Sequence, residues 1–383
     1  MKNIAIMGLG NYDNMGDRII GECVCYLVKQ IMPGCNISCV NFQPDRIGKE
    51  YERYRARRRR IENKGLGIIE YKFIYHIMKE FVKKYYIENL KNANALILAC
   101  GSFKYRTQNL WTTYSIAVEC AKKYDIPVMF DAMNIQDYDG KDWRCKLLKN
   151  RANYSNVRMI TSRDGIHGVN KLTKYYINNK NIEIFPAGDP AFWVKECYEP
   201  QTTKQNKIGI NLIRGNIFED YGGSVSEEQL LELYSEIVMK LNARGEEWEL
   251  FTNGLKCDYD FGKKLLKKCG YNEENHKIFI SKNTNDCVNK VMECKAVIGA
   301  RLHACICAYS LDVPMAGFVW DDKLIHFAEM SKTKEYFCLE SNLSSEELLN
   351  KLSEAIKLGY DIQNRNYWKN QTKNTIKKFL DEL

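Results

Sequence analysis

The chain has 383 residues, 45% hydrophobic and 27% charged, the composition of an ordinary globular protein with enough length for two domains. Its apolar runs, of which Ala95 to Cys100 is among the longest, fall well short of the roughly 18 to 20 residues that cross a bilayer, which argues against a membrane-spanning protein. Lysine and arginine outnumber acids 57 to 48, a formal net charge of +9, and Arg53, Arg55 and Arg57 to Arg60 form the densest basic patch.

That patch reads first as a solvated helix face. Its functional reading is attraction to an anionic membrane surface or a diphosphate-linked acceptor; nucleic acid is not favoured, because no nucleic-acid motif accompanies the basic run. The 15 cysteines form no C-x-x-C pair and the chain has 5 histidines, so neither a disulfide framework nor a zinc site is expected. Reduced thiols used as small packing residues are the expectation.

In chain order, Lys2 to Leu9 is too short for a secretory signal and reads as a first strand, Asn3 to Gly8, placing the protein in the cytoplasm. A helix from Asp17 to Met32 and a strand from Asn36 to Phe42 follow. Residues 45 to 92 are basic, helical and irregular. Strands are expected at Ala95 to Ala99, Pro127 to Ala132, Met159 to Ser162 and Ile182 to Phe185, with a helix at Tyr114 to Lys123. The polar stretch Glu199 to Lys207 reads as a linker. Beyond it come a strand from Lys207 to Leu212, helix 226 to 243, strands Trp248 to Thr252 and Lys277 to Ile280, helix 284 to 293, strands Ala296 to Gly299 and Val313 to Val319, and helix Ser344 to Leu358. Alternating strands and helices predict an α/β protein of two doubly wound, Rossmann-like domains facing a cleft. The domains are placed at 1–200 and 206–360, with a C-terminal helix at 361–383 returning to the first.

Several strand ends carry groups suited to an anion. Val297-Ile298-Gly299-Ala300-Arg301-Leu302-His303-Ala304 is an apolar strand turning into a helix, where free backbone N–H groups, the helix dipole and two basic side chains would converge. Lys323 follows the next strand, within Trp320-Asp321-Asp322-Lys323, and can reach the same place as a point charge. Arg163 and Asp164 follow the strand ending at Ser162; Asp164 is expected to cap the turn or orient the arginine. Arg214 is a further cation. Gly8 to Asp17 is glycine-rich before a helix but lacks the G-x-G-x-x-G spacing of a dinucleotide site. Asp17 is there either as an N-cap or, with Asp13 and Asn14, as a group accepting hydrogen bonds from sugar hydroxyls.

Asn14-Met15-Gly16-Asp17, Arg163-Asp164, Gly188-Asp189-Pro190-Ala191 and Arg301-Leu302-His303-Ala304, in this order over nearly the whole chain, resemble the motifs of the polysaccharide pyruvyl transferases. The resemblance implies a GT-B-like fold and transfer of the enolpyruvyl group of phosphoenolpyruvate to two hydroxyls of a sugar in a cell-surface glycan or its lipid-linked precursor. It implies that Arg301, Leu302 and His303 hold the donor phosphate, that Lys323 and Arg163 join His303 and Arg301 as catalytic groups, and that no metal or other cofactor is needed. Asp13, Asn14, Asp17, Gly101, Ser102 and Arg214 complete the expected substrate contacts, with the acceptor on the N-terminal domain and phosphoenolpyruvate on the C-terminal one. Cys100-Gly101-Ser102 departs from the family's run of glycines, which bears on acceptor preference. Peripheral contact with the inner face of the membrane and a homo-oligomer are both compatible with these features. Two other functions stay open: a GT-B glycosyltransferase using a nucleotide sugar, and a non-catalytic basic module binding anionic polymer.

Overall fold

The computed structural model describes residues 1–8, 14–42, 68–99, 101–105, 110–274 and 276–383. Asp13, Cys100 and the patch from Arg53 to Arg60 lie outside the described residues. The chain divides into two compact units, one of residues 1–11, 20–189 and 370–383, the other of 12–19 and 190–369. The division falls between Asp189 and Pro190, ahead of the polar stretch 199–207, and the first unit takes in the end of the last helix, Ile362–Asp381. Residues 12–19, read from sequence as part of the first domain, belong with the second unit.

The first unit contains β1 (Asn3–Gly8), β2 (Asn36–Asn41), β3 (Ala95–Leu98), β4 (Ser102–Phe103), β5 (Val128–Ile135), β6 (Val157–Ser162) and β7 (Glu183–Pro186). They form a parallel sheet in the order β2-β1-β3-β5-β6-β7, with β4 beside β5. Strands such as Ala95-Leu96-Ile97-Leu98 are buried along their whole length, because helices cover both faces of a parallel sheet and leave no side for polar residues. β5 continues three residues past Ala132, where the sequence pattern ends. Ala132 takes a positive φ of 48° and the register with β6 shifts between Phe130 and Met133, so the buried polar pair Asp131 and Asn134 sits on an irregular strand.

The second unit contains β8 (Lys207–Asn211), β9 (Glu247–Thr252), β10 (Ile278–Ile280), β11 (Ala296–Gly299), β12 (Met315–Phe318) and β13 (Phe337–Cys338). Its order, β10-β9-β8-β11-β12-β13, is parallel throughout and changes direction between β8 and β11. In such sheets ligands bind outside the carboxyl ends of the strands at that change of direction. Local signals start the helices: Ser226 and Gln229 form a reciprocal capping box at Glu227–Ala243, and Ser344 accepts from the Glu347 N–H at Ser345–Leu358. Helices Trp143–Ala152 and Lys256–Lys268 and the two-residue edge strand β13 were not apparent in the sequence.

The described cysteines are free thiols. Cys305 shows their packing role: it is fully buried in helix Leu302–Ser310, burial pushes its thiol up to about 12, and a Cβ on Gly299 would lie only 2.4 Å from its sulfur. Among the described residues no helix is long and apolar enough to cross a membrane, and no group of three or more His, Cys, Asp or Glu could hold a metal ion.

Candidate active site

Four strand ends of the second unit carry the polar residues that matter. After β11, Arg301 takes extended backbone angles and begins helix Leu302–Ser310. Its backbone N–H donates to Asn211 Oδ1 at 2.9 Å, at the end of β8, so the two strands that flank the change of direction are tied together there. Asn211 in turn donates from Nδ2 to Asn253 Oδ1 (2.9 Å), just past β9. The Asn253 carbonyl accepts the Met15 N–H (2.9 Å), which fastens the first turn of helix Met15–Ile31 to this network.

The guanidinium of Arg301 is fixed as firmly as its backbone. Nε donates to Asp258 Oδ2 at 2.9 Å and Nη2 donates to Oδ1, a side-on fork against a carboxylate with no solvent exposure, while the Arg301 side chain keeps 12%. Burial works against the charge of Arg301, but Asp258 outweighs it and holds the group above its usual range. The same carboxylate accepts the Arg214 N–H at 2.9 Å, so one acid braces the turns after both β8 and β11.

His303, 7% exposed, sits in the first turn of helix Leu302–Ser310, and Gly16 makes room for its ring. A Cβ at position 16 would stand 2.5 Å from Nδ1 and 2.6 Å from Cγ, closer than atoms can approach, so the glycine of Asn14-Met15-Gly16-Asp17 is required by the histidine. Within that motif Asn14 holds the capping place: its Oδ1 accepts the Gly16 N–H (3.3 Å) and its Nδ2 donates to Asp17 Oδ2 (2.9 Å). Asp17 is therefore inside the first turn and not the N-cap, and the helix begins at Met15. Leu302 is buried, a packing residue between two polar neighbours.

Lys323 stands in the first turn of helix Asp322–Met330, whose N-cap Asp321 accepts the Lys323 N–H at 3.1 Å and pairs with its ammonium at 3.2 Å. The ammonium lies 4.2 Å from the Trp320 ring centre and 5.6 Å from that of Tyr221. Trp320 is held by its indole N–H donating to the Ala300 carbonyl (2.7 Å), and Tyr221 meets it edge to face at 4.9 Å. Burial raises the Tyr221 hydroxyl, Asp321 adds to that, and Arg214 and Arg301 oppose it. The Arg214 side chain is turned onto Asp220, with Nε donating at 3.1 Å.

Arg163, Gly101 and Ser102 belong to the first unit. Arg163, 8% exposed, pairs through Nη1 with buried Asp189, and its guanidinium lies against Gly101, where φ is +65° and a Cβ would come within 2.8 Å of Nη1. Gly101 is thus needed twice over, for its backbone angle and for the arginine beside it. Ser102 is on β4, opposite Asn134 of β5. Asp164 holds the N-cap position of helix Gly165–Lys171 without a side-chain cap bond; its carboxylate accepts from Asn134 Nδ2 (2.9 Å) and the Ile135 N–H (2.6 Å), bracing the irregular end of β5. Nearby Asp131 is fully buried and rises to about 7, through burial first and the charge of Asp189 second, with Thr161 and the Ala132 N–H pulling it back.

Asp258, Asn211, Asn253 and Tyr221 escaped the sequence reading. Asp258 looks like any acid in the first turn of a helix, and Tyr221 stands just past the four-residue helix Ile217–Asp220. The asparagines offered a faint signal, a side-chain amide at the carboxyl end of an apolar parallel strand.

Two parallel α/β units, the second with a polar cluster at its strand switch, define a Rossmann-like enzyme with the GT-B fold. Solved structures agree in fold: UDP-GlcNAc 2-epimerase from Methanocaldococcus jannaschii is 11% identical with a TM-score of 0.59, each chain covered over 99% of its length. UDP-GlcNAc 2-epimerase from Neisseria meningitidis bound to UDP-GlcNAc is 10% identical with a TM-score of 0.57 over 100% of both chains. An S. aureus MnaA–UDP structure is 9% identical with a TM-score of 0.54, covering 97% of this chain and 91% of its own. A comparison with curated proteins finds no match. The family model of the polysaccharide pyruvyl transferases matches residues 14–322, from the Asn14 cap to the Asp322 turn, and the chain belongs to that family.

Proposed function

We propose that this transferase uses phosphoenolpyruvate to place a pyruvate ketal on two hydroxyls of a sugar in a cell-surface glycan or its lipid-linked precursor. The single observation that supports the donor side is the gathering of Arg301, His303 and Lys323 on the strand ends of one unit, beside the place where its sheet changes direction. Family membership supplies the reaction class.

In this reaction C3 of the enol takes a proton, which makes C2 electrophilic. One sugar hydroxyl adds to C2 and gives up its proton, the bond from C2 to the phosphate oxygen breaks, and the second hydroxyl adds, its proton leaving with inorganic phosphate. Arg301 and Lys323 supply fixed positive charge to the carboxylate and the departing phosphate, and His303 moves a proton. Asn14 and Asp17, on the same unit, serve the acceptor hydroxyls, and neither metal nor nicotinamide is required.

His303→Ala is the clean probe, because Arg301→Ala also strands a buried carboxylate. Phosphate release from phosphoenolpyruvate with a panel of glycosides should fall about 10²–10³-fold in His303→Ala while the circular dichroism spectrum is unchanged. Wild-type turnover in that variant removes the proposal. A nucleotide-sugar reading rests on fold alone; labelled pyruvate entering the glycan from phosphoenolpyruvate, against a labelled sugar entering from a UDP-sugar, decides between them.

A further inference from the structure

We propose that Asp258 is a positioning residue for this reaction, acting through Arg301 and through the Arg214 turn, and that the donor anion meets an arginine already locked in place. The inference rests on the function proposed above.

Asp258 is fully buried, on helix Lys256–Lys268 and 43 positions from Arg301 in sequence, yet three N–H groups from two separate turns end on it: Nε and Nη2 of Arg301 and the backbone N–H of Arg214. A guanidinium has five N–H donors in a rigid fork. The side-on pair with Asp258 uses two and leaves the others to an anion, in one orientation. The arginine backbone is pinned independently by Asn211, so neither end of the residue is left to settle when a ligand arrives. A long side chain held in this way loses little rotamer freedom on binding. Because Asp258 also holds the Arg214 N–H, the turns on both sides of the strand switch take their relative position from one carboxylate. A purely structural ion pair would not need to join those two turns.

The test is a double-mutant cycle in the full-length protein with Asp258→Asn, Arg301→Ala and the pair, each assayed below its own melting transition. Phosphoenolpyruvate-dependent phosphate release and calorimetric binding of inorganic phosphate are both read. The kcat/KM of Asp258→Asn should fall about 10–100-fold, carried mainly by kcat, and adding the same change to Arg301→Ala should cost no more than about twofold. Asp258→Glu, which keeps the charge at a different reach, should recover part of the loss and serves as the second variant if the asparagine fails to fold. Equal losses in the wild-type and Arg301→Ala backgrounds overturn the proposal and leave the functional reading intact. If the wild type releases no phosphate but the phosphate-binding cycle shows the coupling, Asp258 keeps its role and the functional reading falls. A wild type that neither binds phosphate nor turns over removes both.

Discussion

The turn at Arg301 and the turn at Arg163 are built alike and surrounded differently. Each places an arginine just past a buried parallel strand, pairs it with a buried aspartate and involves a glycine motif, Gly16 against His303 in one and Gly101 against the guanidinium in the other. Around Arg301 there are further cations, each with its own carboxylate: Asp258 pairs with Arg301, Asp220 with Arg214 and Asp321 with Lys323. Around Arg163 it is acidic: Asp189 takes the guanidinium, Asp131 lies close enough to feel Asp189, and Asp164 follows in the chain. The same local motif can therefore stand among further paired cations or among further carboxylates, and the surrounding residues decide which.

The largest effect expected is on chemistry at the Arg301 turn, the loss of about 10²–10³-fold in turnover for His303→Ala. At the acidic turn the matching change acts on stability. Arg163→Met leaves Asp189 buried without its cation and should destabilise the protein by about 3–5 kcal/mol in urea unfolding; a neutral result would mean the pair is not held as described. Gly16→Ala changes no charge but drives a methyl group into His303, so turnover should drop about tenfold or more with the fold retained, and unchanged kinetics would show that the histidine has freedom to move.

The last expectation is a pH dependence confined to the acidic turn. Asp131, at about 7 when folded against 3.8 as its ordinary value, binds a proton in the native state that the unfolded chain has already released over that interval. Its contribution to stability is therefore present below about pH 4 and is lost as the pH rises through 7. Melting temperatures of wild type and Asp131→Asn should diverge between pH 5 and 8, with the variant flatter and relatively more stable at the high end. Parallel curves would place the titration elsewhere.

Much of the fold was legible beforehand. Ala95 to Leu98 and Ala296 to Gly299 read directly as buried strands, since a strand covered on both faces is apolar without interruption. Where a strand carries polar residues inside the core, as β5 does at Asp131 and Asn134, the pattern stops early although the chain stays extended; Thr161 donates to Asp131 Oδ1 and Asp164 accepts from Asn134, partners that lie elsewhere in the chain. The short edge strand β13 has too few residues to show any period.

The sequence by itself determined the order of strands and helices and set Arg301, His303, Lys323 and Arg163 just after strands, because apolar runs and helix starts are written in neighbouring residues. Only the tertiary structure decided that Gly16 exists to admit His303, that residues 12–19 go with the second unit, and that Asp258 and Asn211 hold Arg301. Those partners are 43 and 90 positions from the arginine. Contacts at that separation leave no periodic mark on the chain, since what creates them is the closing of the sheet and not the residues on either side.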